Sequence, residues 1–214
     1  MPTLSIPATV RPARRAGLVA LALALALVTP AIAETVQIVA LGDSNTYGFG
    51  IDRDKTYPAQ LEAVLRNRGH DVAIVNAGVN GDMTFETIAR LEQSIPAGTD
   101  GVIVFLGRND WRKGVSAVTI SRNLDVIVGA LRGAGMDVLL VGFAPNDFSA
   151  VAEKHGALYY ENFFDGVTRF GRKMRRYKLG DLGGHLNPDG YAVIVERLTP
   201  TVEALLDRIN SGAE

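Results

Sequence analysis

The sequence predicts an α/β protein, with a doubly wound parallel sheet of five strands between helices on both faces, in three layers. Three observations predict it. Short apolar runs alternate with longer segments of helical period from residue 36 onward. The run Gly101-Val-Ile-Val-Phe-Leu106 is apolar throughout, as a strand covered on both faces must be. The 214 residues are 47% hydrophobic and 21% charged, enough apolar material for one well-filled core.

The elements follow in order. Val36 to Leu41 reads as the first strand, stopped at Gly42. Tyr57 to Arg68 reads as a helix, with Leu61, Val64 and Leu65 on one face and Gly69 as its stop. Val72 to Val75 is a second strand and Phe85 to Ser94 a second helix. Gly101 to Leu106 is the third strand, and Ser116 to Leu131 a longer helix stopped by Gly133 and Gly135. Val138 to Val141, a short helix over Ala150–His155, and a strand over Ala157–Tyr160 come next. Asn187 as N-cap and Pro188 at the first helical position open a last helix, running to about Ile209. Right-handed crossovers then imply a flavodoxin-like topology, with functional residues expected at the carboxyl ends of the strands.

Composition removes several classes of function. Twenty-two Lys and Arg stand against 23 Asp and Glu, which argues against a dedicated nucleic-acid binder. There is no cysteine, so no disulfide, thiolate nucleophile or Cys-ligated zinc. His70, His155 and His185 are too scattered for a multi-histidine metal centre.

Residues 1–33 read as an export signal, and residues 34–214 as the single folded domain. Arg11, Arg14 and Arg15 precede an apolar run of 11 residues, Leu18–Val28, and Ala31-Ile32-Ala33 supplies the small residues of a cleavage site. The run is short of the roughly 17–25 residues that span a bilayer, so no stable membrane insertion is expected after cleavage. Arg14-Arg15 hints at twin-arginine export. A periplasmic or extracellular location follows. The mature chain would retain 19 basic and 23 acidic residues, a net charge of about −4.

Four polar blocks fall at the expected edge of the sheet. They are Gly42-Asp43-Ser44-Asn45-Thr46-Tyr47-Gly48, Asn76-Ala77-Gly78-Val79-Asn80-Gly81-Asp82, Gly107-Arg108-Asn109-Asp110, and Asp181-Leu182-Gly183-Gly184-His185-Leu186-Asn187-Pro188. Acyl transfer needs a nucleophile, a base and donors for a developing oxyanion. Ser44 can supply the hydroxyl, and His185 is the one histidine placed at this edge. The backbone N–H groups of Ser44 and Gly81 and the Asn109 amide can supply three donors. Singly, each has a plainer reading: a turn serine, a turn glycine, an Asx-turn asparagine, a loop histidine. Together they fill every role of acyl hydrolysis.

These blocks resemble, in the same order, those of the SGNH hydrolases, or GDSL-type esterases and lipases. The resemblance covers nearly all of residues 34–214 and is nearest to the small exported thioesterase, arylesterase and lysophospholipase branch. It implies Ser44 as nucleophile, His185 as base, and Ser44, Gly81 and Asn109 as the oxyanion hole. It implies small acyl ester or thioester substrates, and neither cofactor nor metal.

Two departures from the family pattern stand out. The family usually carries Asp three residues before the histidine; here that position is Leu182, and Asp181 lies four before. Either Gly183-Gly184 bulges and Asp181 completes the triad, or a backbone carbonyl or water orients the imidazole. Arg108 stands where the family mostly has a small or uncharged residue. It either contacts an anionic substrate group or pairs with a nearby acid.

Tyr47, Phe49 and Trp111 adjoin the blocks and are candidates to line an acyl pocket. Arg169 to Lys178 carries six basic residues in ten, read as a solvated loop or as a patch for anionic lipid or acidic substrate. Short strand–helix linkers suggest no large lid. The rival reading is a non-catalytic flavodoxin-like ligand-binding or envelope protein, with Ser44-x-Thr46-x-Gly48 as an anion loop. Asp43 counts against it, since a carboxylate there would repel phosphate.

Overall fold

A computed structural model describes residues 35–181 and 184–212 of the chain. The proposed export signal over residues 1–33 lies outside the described residues, as do Leu182 and Gly183.

Five strands, β1 (Val36–Gly42), β2 (Val72–Gly78), β3 (Gly101–Phe105), β4 (Asp137–Val141) and β5 (Leu158–Tyr160), form one sheet. All pairings are parallel, and the spatial order is β2-β1-β3-β4-β5. This is the doubly wound α/β arrangement. The central strand β3 is buried at every position, which accounts for its uninterrupted apolar sequence.

The main crossover helices are α2 (Tyr57–Asn67), α3 (Thr84–Ser94), α5 (Ala117–Gly133) and α6 (Ser149–Lys154), and α7 (Pro188–Gly212) closes the chain. Helix α2 packs on α7, and α3 packs on α5. The two pairs lie on opposite faces because the chain reverses direction across the sheet after β2, and right-handed crossovers then switch sides. The core runs through the sheet into both layers. Ile38, Leu41, Ile103 and Phe105 meet Leu61 and Leu65 from α2, Ile127 from α5, and Tyr191, Leu198 and Leu205 from α7.

Three differences from the sequence expectation bear on the site. Strand β2 extends through Asn76-Ala77-Gly78, because Asn76 Oδ1 accepts the Gly78 N–H at 3.0 Å and Asn76 Nδ2 donates to the Thr46 carbonyl at 2.7 Å. Two short helical turns, α1 (Ser44–Tyr47) and α4 (Arg108–Arg112), occupy blocks expected to be loops. The long connection between β5 and α7 carries an antiparallel hairpin, β6 (Thr168–Arg169) and β7 (Arg172–Lys173), that the sequence did not announce. Two-residue strands leave almost no periodicity to read in a sequence.

Candidate active site

The register brings the blocks together. Gly42 at the end of β1 stands opposite Gly78 of β2 and Phe105 of β3, so three polar blocks leave the sheet at one level. Asp43 caps α1, its Oδ1 accepting the Asn45 backbone N–H at 2.8 Å and the Asn45 side-chain amide at 2.9 Å. Ser44 is the first residue of this turn and is nearly buried. Helix α1 lies so close to β2 that a Cβ on Gly78 would stand 2.1 Å from the Tyr47 nitrogen. Only glycine permits that approach.

His185 arrives from the far end of the chain and meets Ser44. Its Nε2 lies 2.9 Å from Ser44 Oγ. Its Nδ1 lies 2.6 Å from Asp181 Oδ2, and its backbone N–H donates to Asp181 Oδ1 at 3.0 Å. An ionised carboxylate only accepts, so the proton of a neutral imidazole sits on Nδ1 and the Nε2 lone pair faces the Ser44 hydroxyl. Of the two arrangements open from sequence, the structure has the carboxylate in contact. The loop is clamped from outside, with the Leu179 N–H donating to the His185 carbonyl at 2.8 Å and Lys178 bridged to Leu186. The Phe49 ring centroid lies 4.7 Å from that of the imidazole. His70 pairs with Glu203 and His155 with Asp125, away from this site.

The donors converge less completely. Among the described residues, the N–H groups of Ser44 and Gly81 have no acceptor. Gly81 sits at φ +82, a left-handed conformation that aims its N–H in a direction other residues rarely permit. Asn109 Nδ2 donates to the Asp82 carbonyl at 2.9 Å and to Asp43 Oδ2 at 3.3 Å, so one hydrogen must turn to reach an oxyanion. Arg90 braces this loop, pairing with Asp82 at 2.6 Å and donating to the carbonyls of Ala77 at 3.2 Å and Gly42 at 3.3 Å. Burial pushes the Asp43 carboxyl up from its ordinary range; hydrogen bonds from Asn45 and the charges of Arg108 and His185 oppose that shift.

Comparison with known proteins decides the family. Residues 40–193 match the GDSL-like lipase/acylhydrolase family. The chain belongs to that family. It is a carboxylic ester hydrolase of the SGNH type. It is 28% identical over 214 residues to the esterase TesA of Pseudomonas aeruginosa, covering 90% of this chain and 100% of the relative. It is 29% identical over 130 residues to an arylesterase of Vibrio mimicus, covering 60% of this chain and 62% of that enzyme's length. Among solved structures, TesA superposes with a TM-score of 0.71 at 25% identity, covering 79% of this chain and 99% of that one. AlinE4, described as an SGNH-hydrolase family esterase, gives 0.63 at 31% identity, covering 81% and 97%.

In this SGNH hydrolase Arg108 directly precedes the site residue Asn109. Among the described residues its guanidinium makes no ion pair with an acid. It lies over aromatic rings instead, 4.9 Å from the Phe164 centroid, 5.8 Å from Trp111 and 6.0 Å from Phe143. Arg108 and Trp111 line a cleft of about 610 Å³ with Phe164, Lys173 and Gly184. Sequence reasoning missed Phe164 and did not single out Lys173 within the basic stretch. Lys173 belongs to the basic stretch read either as a solvated loop or as a patch for an anionic partner, and its ammonium turns inward to the Gly184 carbonyl at 2.9 Å. Its place directly before Met174 in a mixed run was the available signal. The anion-loop rival is overturned by family membership, and locally Asp43 Oδ1 takes the Asn45 N–H that a phosphate would need. Among the described residues no cluster of three His, Asp or Glu side chains is arranged to hold a metal.

Proposed function

We propose that this chain is a serine esterase that cleaves carboxylic ester or thioester bonds of small acyl substrates through an acyl-enzyme on Ser44. The observation that carries the reading is the unbroken line from Asp181 to His185 to Ser44, at 2.6 and 2.9 Å. Ser44 Oγ attacks the carbonyl carbon as His185 Nε2 takes the hydroxyl proton. The carbonyl oxygen becomes an oxyanion, received by the N–H groups of Ser44 and Gly81 and by a turned Asn109 amide. Collapse expels the alcohol or thiol, which leaves with the proton from Nε2. Water, deprotonated by the same nitrogen, then attacks the acyl-enzyme, and a second collapse releases the acid and restores Ser44. Asp181 holds the imidazole and balances its transient positive charge. This chemistry needs no cofactor.

The arylesterase and esterase relatives support small ester substrates. We also read residues 1–33 as a cleaved export signal and residues 34–214 as the mature domain, working in the periplasm or outside the cell. The tripartite pattern of Arg11–Arg15, Leu18–Val28 and Ala31–Ala33 supports that reading. Among the described residues no helix is long and apolar enough to cross a membrane.

Labelling with a fluorophosphonate probe, followed by peptide mapping, tests the mechanism together with a panel of nitrophenyl and CoA esters. The wild type is expected to carry the adduct on Ser44. The Ser44→Ala variant is expected to lose label and about 10³-fold or more in kcat. A folded Ser44→Ala protein with undiminished turnover would refute the reading.

A further inference from the structure

We infer that the cleft between Arg108 and Lys173 is an anion subsite, and that the preferred substrates are esters carrying a carboxylate or phosphate beside the scissile bond. The inference rests on the esterase reading above and names the class of ester.

The lining of the cleft is one-signed. Arg108, Arg172, Lys173 and Lys178 contribute to its wall, and among the described residues no Asp or Glu does. Two of these cations converge on one ring. The Arg108 guanidinium lies 4.9 Å from the Phe164 centroid and the Lys173 ammonium 4.2 Å from it. Like charges gathered in a partly desolvated cleft repel one another, and an anion placed between them is attracted by all of them. Asp43 and Asp181, the nearby acids that act on Lys173, are committed elsewhere: Asp43 to Asn45 and Asn109, Asp181 to His185.

Position ties the cations to catalysis. Arg108 directly precedes Asn109. The Lys173 ammonium binds the carbonyl of Gly184, the residue before His185, at 2.9 Å. A Cβ on Gly184 would stand 3.7 Å from Lys178 Nζ, so a second ammonium lies beside the same residue. The positive wall therefore includes the residue before Asn109 and a cation bound to the residue before His185. Trp111 and Phe164 give it apolar surface, suiting a short organic chain that ends in a charge. Burial, then the charges of Arg108 and Arg112, push Lys173 down to about 7 against the pull of Asp43 and Asp181. A bound anion would restore its proton.

Matched ester pairs test this. On the acyl side, mono-4-nitrophenyl adipate is compared with 4-nitrophenyl hexanoate. On the alcohol side, 4-acetoxybenzoate is compared with 4-acetoxybenzamide. Each kcat/KM is corrected for spontaneous hydrolysis and measured at pH 6.5 in low salt. In one arm at least, the wild type is expected to favour the anion about tenfold or more. That ratio should fall toward one in Arg108→Gln and Lys173→Met, survive in Arg108→Lys, and shrink in 0.5 M salt. Inorganic phosphate should inhibit the anionic ester competitively. Ratios of one or below in both wild-type arms, or a ratio untouched in both neutral variants, would overturn the proposal. Should a variant not fold, the salt and phosphate responses of the wild type decide: indifference to both overturns it. If the wild type cleaves none of the four esters, the esterase reading has failed. Calorimetric binding to Ser44→Ala then decides the subsite, with preferential binding of the adipate ester keeping it and equal binding of adipate and hexanoate esters overturning it.

Discussion

The Asp181 carboxylate grips His185 at two points, one oxygen on the backbone N–H at 3.0 Å and the other 2.6 Å from Nδ1. A single side chain thereby sets both where the histidine loop turns and which way its ring faces. The Asp181→Asn variant keeps the shape but presents an amide that can donate to Nδ1, favouring the wrong tautomer. A fall in kcat of about 10²–10⁴ with little change in KM is expected, read from steady-state kinetics on a neutral nitrophenyl ester. A kcat within twofold of the wild type would place the orienting group elsewhere.

Two pH responses should separate. A protonated imidazole cannot accept the Ser44 proton, so kcat/KM on a neutral ester should fall at acid pH. Selectivity for anionic esters should run the other way. Lys173, held near 7, carries its charge below that value and loses it above. The anion-to-neutral ratio should therefore decline as pH rises from 6 to 9 while turnover of the neutral ester is maintained. Parallel profiles on the paired esters check both signs.

Asn109 is the donor whose hydrogens are already occupied, by Asp43 and by the Asp82 carbonyl. If one of them turns toward the oxyanion only as charge develops, the interaction belongs to the transition state. The Asn109→Ala variant should then lose about 10²–10³ in kcat with KM nearly constant. A rise in KM alone would assign the amide to ground-state binding.

Gly78 and Gly81 should respond differently to alanine. At Gly78 the new methyl would sit 2.1 Å from the Tyr47 nitrogen, so β2 and α1 must separate. The expected cost is about 1–3 kcal/mol, a loss of several degrees in Tm. At Gly81 no atom of the described residues beyond its chain neighbours lies within 4 Å of an added Cβ, and only φ +82 opposes the substitution, a cost of about 1 kcal/mol. Gly81→Ala should therefore melt closer to the wild type yet lose activity, since its N–H is re-aimed. Thermal denaturation beside turnover tests the pair.

The order of elements was legible because each strand is a short apolar run bounded by turn residues and each main helix shows an apolar face. The four polar blocks were legible for a related reason: in a parallel sheet, whatever follows each strand emerges on the same side. The hairpin over Thr168–Lys173 was not, because strands of two residues have no period, and six basic residues in ten look like a solvent-facing loop. Lys173 was not singled out within the stretch for that reason, and nothing local marked Phe164, which precedes it. Phe49 was noticed only as an aromatic near the serine block; its contact with His185 depends on a loop 136 residues away in the chain.

By itself the sequence determined the alternation of strands and helices, and with it the edge of the sheet at which Ser44, Gly81, Asn109 and His185 gather. Those are local properties, set by hydrophobic period and turn chemistry. Only the tertiary structure decided that Asp181 reaches His185 across one extra residue, that Asn109 is held by Asp43, and that Arg108 and Lys173 share the Phe164 ring. Each of those depends on the distance between side chains from separate elements, and spacing along a chain does not encode such distances until the core has packed.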